Sequence, residues 1–471
     1  MAELDTKDPK STRTDEADDV AEVAEYGLDA DAVGKVVELL DDGEFKEVRE
    51  IISDMHDADE ADLIEQIDPE HRRQLVDCLS PDIDAEVFVH LRPSVRDELV
   101  EYLPADDIAR TITALDSDDA IELIEDIDED RQQAILEKLS TQIRTQVEQG
   151  LNFPDDSAGR LIQREVVALP QFWTVGKTID YMRSSADELP KDFYVVYVVD
   201  PLHRVEGAVH LSRLLRAKRS RKLSDIQQTD IHPIPATMDQ EEVADVFRRY
   251  ALVSAPVVDE GNRLLGVITV DDVVDVIDEE AEEDLLKLSG VAESDIYSAT
   301  WKTLKSRFVW LAVNLLTAVL ASLVIGAFAD TIDQVVALAV LMPIVASMGG
   351  NAGTQTLTVA VRALAMKELS TNNAWRVMGK ETLVASINGF IFAIVSGLVA
   401  SLWFGDPMLG GVIAVAMIGT LAVAGLSGVL IPLALDRFGA DPAVASSVFL
   451  TTVTDIAGFF SFLGLAAWIL L

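Results

Sequence analysis

Apolar residues along this chain follow three rhythms in turn. From about residue 20 to 152 they recur at intervals of three and four, as in Leu63, Ile64 and Ile67 or Leu99, Tyr102 and Leu103, in short segments broken by Pro or by paired Asp. That period puts one buried stripe on each helix and predicts short helices stacked in pairs as a small superhelix. From 153 to 276 the apolar runs become β-branched and continuous, as in YVVYVV at 194–199 and APVV at 255–258. Each runs into Asp, a short turn, a Gly, a second strand and an amphipathic helix, which predicts an α/β unit. The two copies align without a gap 59 residues apart: Val199 with Val258, Asp200 with Asp259, Gly207 with Gly266, Val209 with Ile268, Leu211 with Val270. Beyond residue 300 come five apolar runs, near 308–329, 335–361, 383–404, 411–435 and 443–471, each long enough to cross a bilayer as a helix.

The expected fold class is therefore multidomain. It has an α-superhelical N-terminal domain over 20–152 and an α/β tandem pair over 153–217 and 218–276. A connecting helix over 277–300 leads to an all-α five-helix transmembrane domain over 301–471. Residues 1–19 lack the apolar segment of a signal peptide and predict a disordered tail.

Charge sharpens the boundary near 300. The chain has 38 Lys and Arg against 81 Asp and Glu, a net charge of −43. Residues 301–471 carry eight bases and eight acids, so the whole excess lies upstream. A polyanionic surface excludes nucleic acid as a partner. It leaves two readings for the acids, specific cation sites or the solvated surface of a protein from a salty cytosol. The lone Cys78 excludes an internal disulfide and fits a reducing compartment. No nucleophile–base set, P-loop or zinc spacing points to an enzyme.

Residues 271–290 are helical by period, with Val273, Val274, Ile277, Ala281, Leu285 and Leu288 on one side. Nine acids and no base lie between Asp271 and Asp284. Like charges recur at i,i+4, each pair costing about 0.2–0.5 kcal/mol, a term that a bridging divalent cation would reverse. In the last span the acid in TTVTDIAGFF, Asp455, sits mid-membrane, where a carboxylate costs about 2.5–3.5 kcal/mol and normally faces a bundle interior or a water-filled path. The second span holds GGNAGTQ at 349–355, where Asn351, Thr354, Gln355 and Thr358 form a polar stripe. The fifth adds Ser447, Thr451 and Thr454. No span contains His or Cys, so the lining is oxygen-only and suits a hard, hydrated divalent ion. All eight bases of the membrane half fall on one side of the predicted spans, which places the N-terminal domains in the cytosol and the C-terminus outside.

The repeat resembles a tandem pair of CBS (cystathionine β-synthase) domains, modules that commonly sense adenosine nucleotides. GVITVDD at 266–272 matches their ribose-binding Thr-x-x-Asp through Thr269 and Asp272, whereas the first copy has His210 and Arg213 there. The whole order of domains, with GGNAGTQ, VDDVVDV at 270–276 and DPAVASS…TTVTDIAG from 441 to 458, resembles the MgtE family of magnesium channels. What that resemblance implies is a homodimer in the cytoplasmic membrane, importing Mg2+ through a pore at the two-fold axis with Asp455 as its ion-selecting acid. Asn351, Thr354, Gln355, Ser447 and Thr451 line that pore. Cytosolic Mg2+ bound to Glu241, Asp272, Asp275, Glu280, Glu283, Asp284 and Asp441 holds the acidic plug helix shut. ATP is the further ligand implied, at Thr269 and Asp272, which gives Asp272 two roles. Ser447 departs from the Asn that some members carry. The alternatives are the same pore serving Co2+, Mn2+ or Ni2+, and a CBS nucleotide sensor merely anchored by the spans.

Overall fold

The computed structural model describes residues 28, 30–81, 83–125, 127–186, 189–190, 193–291, 300–370 and 372–471; the tail expected over 1–19 and the segment 292–299 lie outside them. The chain divides into two compact units, Met1–Glu148 and Gln149–Leu471.

The first unit is helical throughout its described length, in short helices beginning with Ala30–Asp42. Pro and Asp fix where these helices start. Pro69 and Pro93 stand in first turns, where a missing N–H costs nothing, and the Asp68 carboxylate accepts from the amides of Glu70 and His71. The ends are served by two arginines, Arg72 buried and Arg131 half-buried. Arg72 donates to the Ile64, Glu65 and Ile67 carbonyls and, at 2.6 Å, to Glu98; Arg131 donates to the carbonyls of Val100 and Leu103. Each guanidinium thus satisfies carbonyls that a helix terminus leaves open. Leu63, Ile64, Leu75, Leu99, Ile108 and Ile124 are buried as their spacing predicts. Tyr102 is not. It lies 40% exposed, because its hydroxyl donates to Asp77 at 2.8 Å.

In the second unit, the two α/β copies share one topology. Strands β1 (Ala168–Pro170), β2 (Val195–Val199) and β3 (Val205–His210) form one sheet; β4 (Ile234–Pro235), β5 (Ser254–Val258) and β6 (Leu264–Thr269) form the other. In each, the first pair is parallel and the second antiparallel, with a bulge at Val198/Val199 and at Val257/Val258, 59 residues apart. The hairpin turns repeat too. Asp200 and Asp259 accept from amides two and four residues on, and His203 and Asn262 take left-handed conformations. The copies pack sheet to sheet through Tyr197, Val199, Val258, Leu264 and Val267.

The repeated glycine has a reason that only the fold supplies. Each copy's leading segment crosses to the other's hairpin: Gln163 pairs with Val267, and Gln228 with Ala208. A Cβ on Gly207 would stand 2.6 Å from the Gln228 carbonyl oxygen, and one on Gly266 would strike that of Gln163. As a result Ala158 and Ile162, in the leading segment of the first copy, lie in the second copy's core, while Leu223 and Ile226, in that of the second, lie in the first's.

Among the described residues five helices are long and apolar enough to cross a membrane: Thr300–Ala327, Ala337–Ala365, Ala374–Phe404, Pro407–Arg437 and Pro442–Ile469. The protein is a multi-pass membrane protein. The third and fourth spans meet along small residues. Ala385, Gly389, Ala393, Gly397 and Ala400 are buried at helical spacing, and a Cβ on Gly425 would press on Ala385 and, at 3.1 Å, on the Glu381 carbonyl. In the second span Gly349 faces Thr420 and Thr454, and Gly353 faces Leu450, which lets the fourth and fifth spans close on it.

Candidate functional site

The expected pore residues share one property. Val345, Gly349, Gly353, Leu357 and Ala360 form the buried face of the second span, while Ser347, Asn351, Thr354, Gln355 and Thr358 are exposed on the opposite face. The hydroxyls of Thr354 and Thr358 donate back to the carbonyls of Gly350 and Thr354 at 2.9 and 3.0 Å, so their oxygens can still accept. On the fifth span, Ser447, Thr451 and Asp455 follow at i, i+4 and i+8. Thr451 is exposed; Ser447 and Asp455 are partly so. Thr454, expected among the lining residues by type, is instead buried, donating to the Leu450 and Thr451 carbonyls at 3.0 Å. Within one chain these two polar stripes stand uncovered on an otherwise apolar bundle.

The connecting helix is Val270–Leu288, starting directly after β6. Its first turn is a reciprocal cap. Thr269 donates through N at 3.2 Å and through Oγ1 at 2.7 Å to Asp272 Oδ2. Burial, reinforced by Asp271 and Asp275, pushes the Asp272 carboxyl up to about 6 against the pull of those hydrogen bonds. In the first copy His210 opens the corresponding helix with no side-chain cap. Val273 and Val276 enter the second copy's core. Of the rest of the apolar side expected on this helix, Val274, Ile277 and Leu285 face outward, 40–66% exposed, as does Ala281, while Leu288 is packed.

Its far end meets the membrane helices. Leu288 packs on Leu357, Val361, Ala443 and Leu450 of the second and fifth spans. Lys287, the one base on the helix, pairs with Glu283 and with Asp441 at 2.9 Å. Asp441 also caps the fifth span, accepting from Ala443 N at 2.8 Å. Helix Gln240–Tyr250 of the second copy lies alongside, with Gln240 donating to Glu280 at 2.9 Å. The elements bring four of the expected sensing acids into one electrostatic neighbourhood. Loss of water and then Glu280 and Asp284 lift the Glu241 carboxyl; loss of water and then Asp441 and Glu280 lift that of Asp284. Asp272 and Asp275 lie five or more residues before Glu280 along the helix, and Glu283 pairs with Lys287. Among the described residues no three Asp, Glu, His or Cys are grouped closely enough to hold a metal ion unaided.

Sequence reasoning missed three contributors. Lys287 carried a signal as the single base of an acidic helix. The small-residue seam carried one in its spacing of four. The third had none: Lys367, between the second and third spans, reaches Asp245 at 2.9 Å and Glu242 at 3.8 Å, and the Asp245 bond raises its pKa.

A CBS-type pair joined by an acidic helix to a five-span bundle with polar stripes is the arrangement of a membrane transport protein with an appended α/β module. Comparison with known proteins gives the family. The MgtE model, described as a divalent cation transporter, matches residues 342–465; the MgtE intracellular N domain matches 55–156 and the CBS domain 223–279. The magnesium transporter MgtE of Bacillus subtilis is 33% identical over 321 residues, 67% of this chain and 70% of that one. That of Thermus thermophilus is 33% identical over 345 residues, 72% and 75% of the two chains. Among solved structures, the cytosolic domain of the Mg2+ channel MgtE in complex with ATP is 30% identical with a TM-score of 0.48, covering 52% of this chain and 99% of that one. The chain belongs to the MgtE family of divalent cation transporters.

Proposed function

We propose that this protein is a homodimeric, non-enzymatic channel that admits Mg2+ through the cytoplasmic membrane and is closed by Mg2+ in the cytosol. The observation that carries the reading is the pair of polar stripes left uncovered by the chain itself. Hydrocarbon cannot solvate Asn351, Gln355 and Asp455, so a second copy around a wet path is the economical cover. The exposed apolar side of the connecting helix calls for the same partner. Oxygen ligands without His or Cys favour Mg2+ over Co2+, Mn2+ or Ni2+. Asp455 selects the ion through its water shell, with Asn351, Thr354, Gln355, Ser447 and Thr451 beside it.

For gating, Glu241, Glu280, Asp284 and Asp441 repel one another when the helices sit together, and Mg2+ shared among them reverses that term. Their number per chain is too small for a closed coordination shell, so waters, Glu283, Asp275, Asp272 or the second copy complete it. ATP is the ligand proposed for Thr269 and Asp272, whose carboxylate would accept from ribose hydroxyls. The N-terminus and CBS pair are cytosolic and the C-terminus external.

The test is Mg2+ uptake into proteoliposomes, wild type against Asp455→Asn, at low and high Mg2+ on the cytosolic face. Uptake that requires Asp455 and stops at high internal Mg2+ is expected. Uptake indifferent to Asp455 would refute the pore assignment, and no uptake by wild type would favour the anchored sensor.

A further inference from the structure

The helical unit contains a cavity of about 310 Å3, walled by the end of helix Phe45–Ile52, the start of helix Asp57–Gln66, the end of helix Pro69–Leu79 and the residues before helix Ala85–His90. That volume is about ten times the share of one water and falls at the lower end of small-molecule sites. Asp57, Glu60 and Asp84 line it. Glu60 is the unusual member. It is only 7% exposed, and no hydrogen-bond or ion-pair partner for its carboxyl exists among the described residues. Buried carboxylates are normally paired. The one cation on the wall, Arg49, is turned to the Cys78 carbonyl, to which its Nε donates at 2.8 Å, and the charges that act on the Glu60 carboxyl are those of Asp57 and Asp84.

We infer that this cavity binds a small organic cation, an ammonium on a short aliphatic body. Three features select that class. The carboxylates ask for a positive partner, and an ammonium offers three donors to share among them. Ile52, Met55 and Leu79 supply apolar wall that a bare or hydrated ion cannot use. The three acids are not grouped closely enough to hold a metal ion. The state of Glu60 agrees. Burial first, then the charges of Asp57 and Asp84, push its carboxyl up to about 7, the signature of an acid whose counter-charge is missing. The site is independent of the ion path and of the transport reading.

The test is calorimetric titration of the full-length protein in detergent with 1,4-diaminobutane, in about 0.5 M KCl, where the Debye length of about 4 Å screens attraction to the acidic surface. Expected is saturable binding of one diamine per chain, none by the isosteric 1,4-butanediol, and at least about tenfold weaker binding by Glu60→Gln. Ser53→Trp, which fills the cavity and leaves all three acids in place, should also block binding; circular dichroism melts check that both variants fold. Absence of saturable diamine binding, equal binding of the diol, or undiminished binding by either folded variant would overturn the proposal. So would Mg2+ binding that Glu60→Gln removes while leaving diamine binding intact.

Discussion

Replacing Asp284 by Asn tests the gating reading from both sides at once. In the structure Asp284 feels Asp441 and Glu280, both acids, with no base among the causes of its shift. It is partly exposed, so each like-charge contact is screened and is worth about 0.2–0.5 kcal/mol, as for pairs on a helix surface. Removing two such contacts eases the assembled arrangement by about 0.4–1 kcal/mol, a factor of about two to five in its population without Mg2+. The same substitution deletes a ligand charge, and Mg2+ affinity falls with ligand charge count; a loss on the order of tenfold is expected. The two effects oppose each other along the Mg2+ axis. Asp284→Asn should therefore conduct less than wild type when the cytosolic face is free of Mg2+ and more when it is loaded. The assay is the initial rate of Mg2+ entry into oriented proteoliposomes with internal Mg2+ clamped over a series of values. A variant curve that superimposes on the wild-type curve would refute the reasoning. A curve merely displaced to one side would show that repulsion and ligation do not reside on the same carboxylate.

Other consequences can be checked separately. Glu241 and Asp284 have raised pKa values in the assembled arrangement, so that arrangement is penalised fully above those values and relieved as pH falls toward the ordinary carboxylate range; with no internal Mg2+, initial influx should drop on acidification toward pH 5, an effect lost in Glu241→Gln/Asp284→Asn. Gly425→Val should lower the thermal midpoint in detergent by an amount equivalent to about 1–3 kcal/mol, because its Cβ meets Ala385 and the Glu381 carbonyl, whereas Gly411→Val, with open space around it, should not. Thr269→Val removes half of the cap on the connecting helix, costing about 0.5–2 kcal/mol, and takes away a hydrogen bond that holds Asp272 down; its carboxyl should titrate still above about 6 by NMR of the labelled side chain.

The fold class was legible in the sequence because it rests on periodicity, and the family because the order of domains comes with the motifs GGNAGTQ and VDDVVDV. A period of 3.6 marks the helical unit, a 59-residue repeat the paired sheets, and five long apolar runs the spans. Each is a local property that tertiary structure has little power to override. The small-residue seam was equally present as Ala385, Gly389, Ala393 and Gly397, but apolar and small residues look alike to a hydropathy count. The repeated Gly207 and Gly266 were visible without their cause, since the carbonyls they admit come from segments 21 residues downstream and 103 residues upstream.

The site was legible only as far as one helix determines it. Nine acids on the connecting helix look equivalent by spacing, and a salty surface would carry the same run. What separates them is what other elements bring close. Asp284 has Asp441 from the start of the fifth span, and Glu280 has Gln240 and Glu241 from the second CBS copy, whereas Glu283 shares Lys287 with Asp441. A solvated acid gains nothing from such neighbours and would turn away from them. Acids that stay where like charges converge are held there by packing, here by Leu288 against Leu357, Val361 and Leu450. An arrangement that packing favours and like charges oppose is one that a divalent ion shared among those charges would stabilise, which is the term the proposed gating uses.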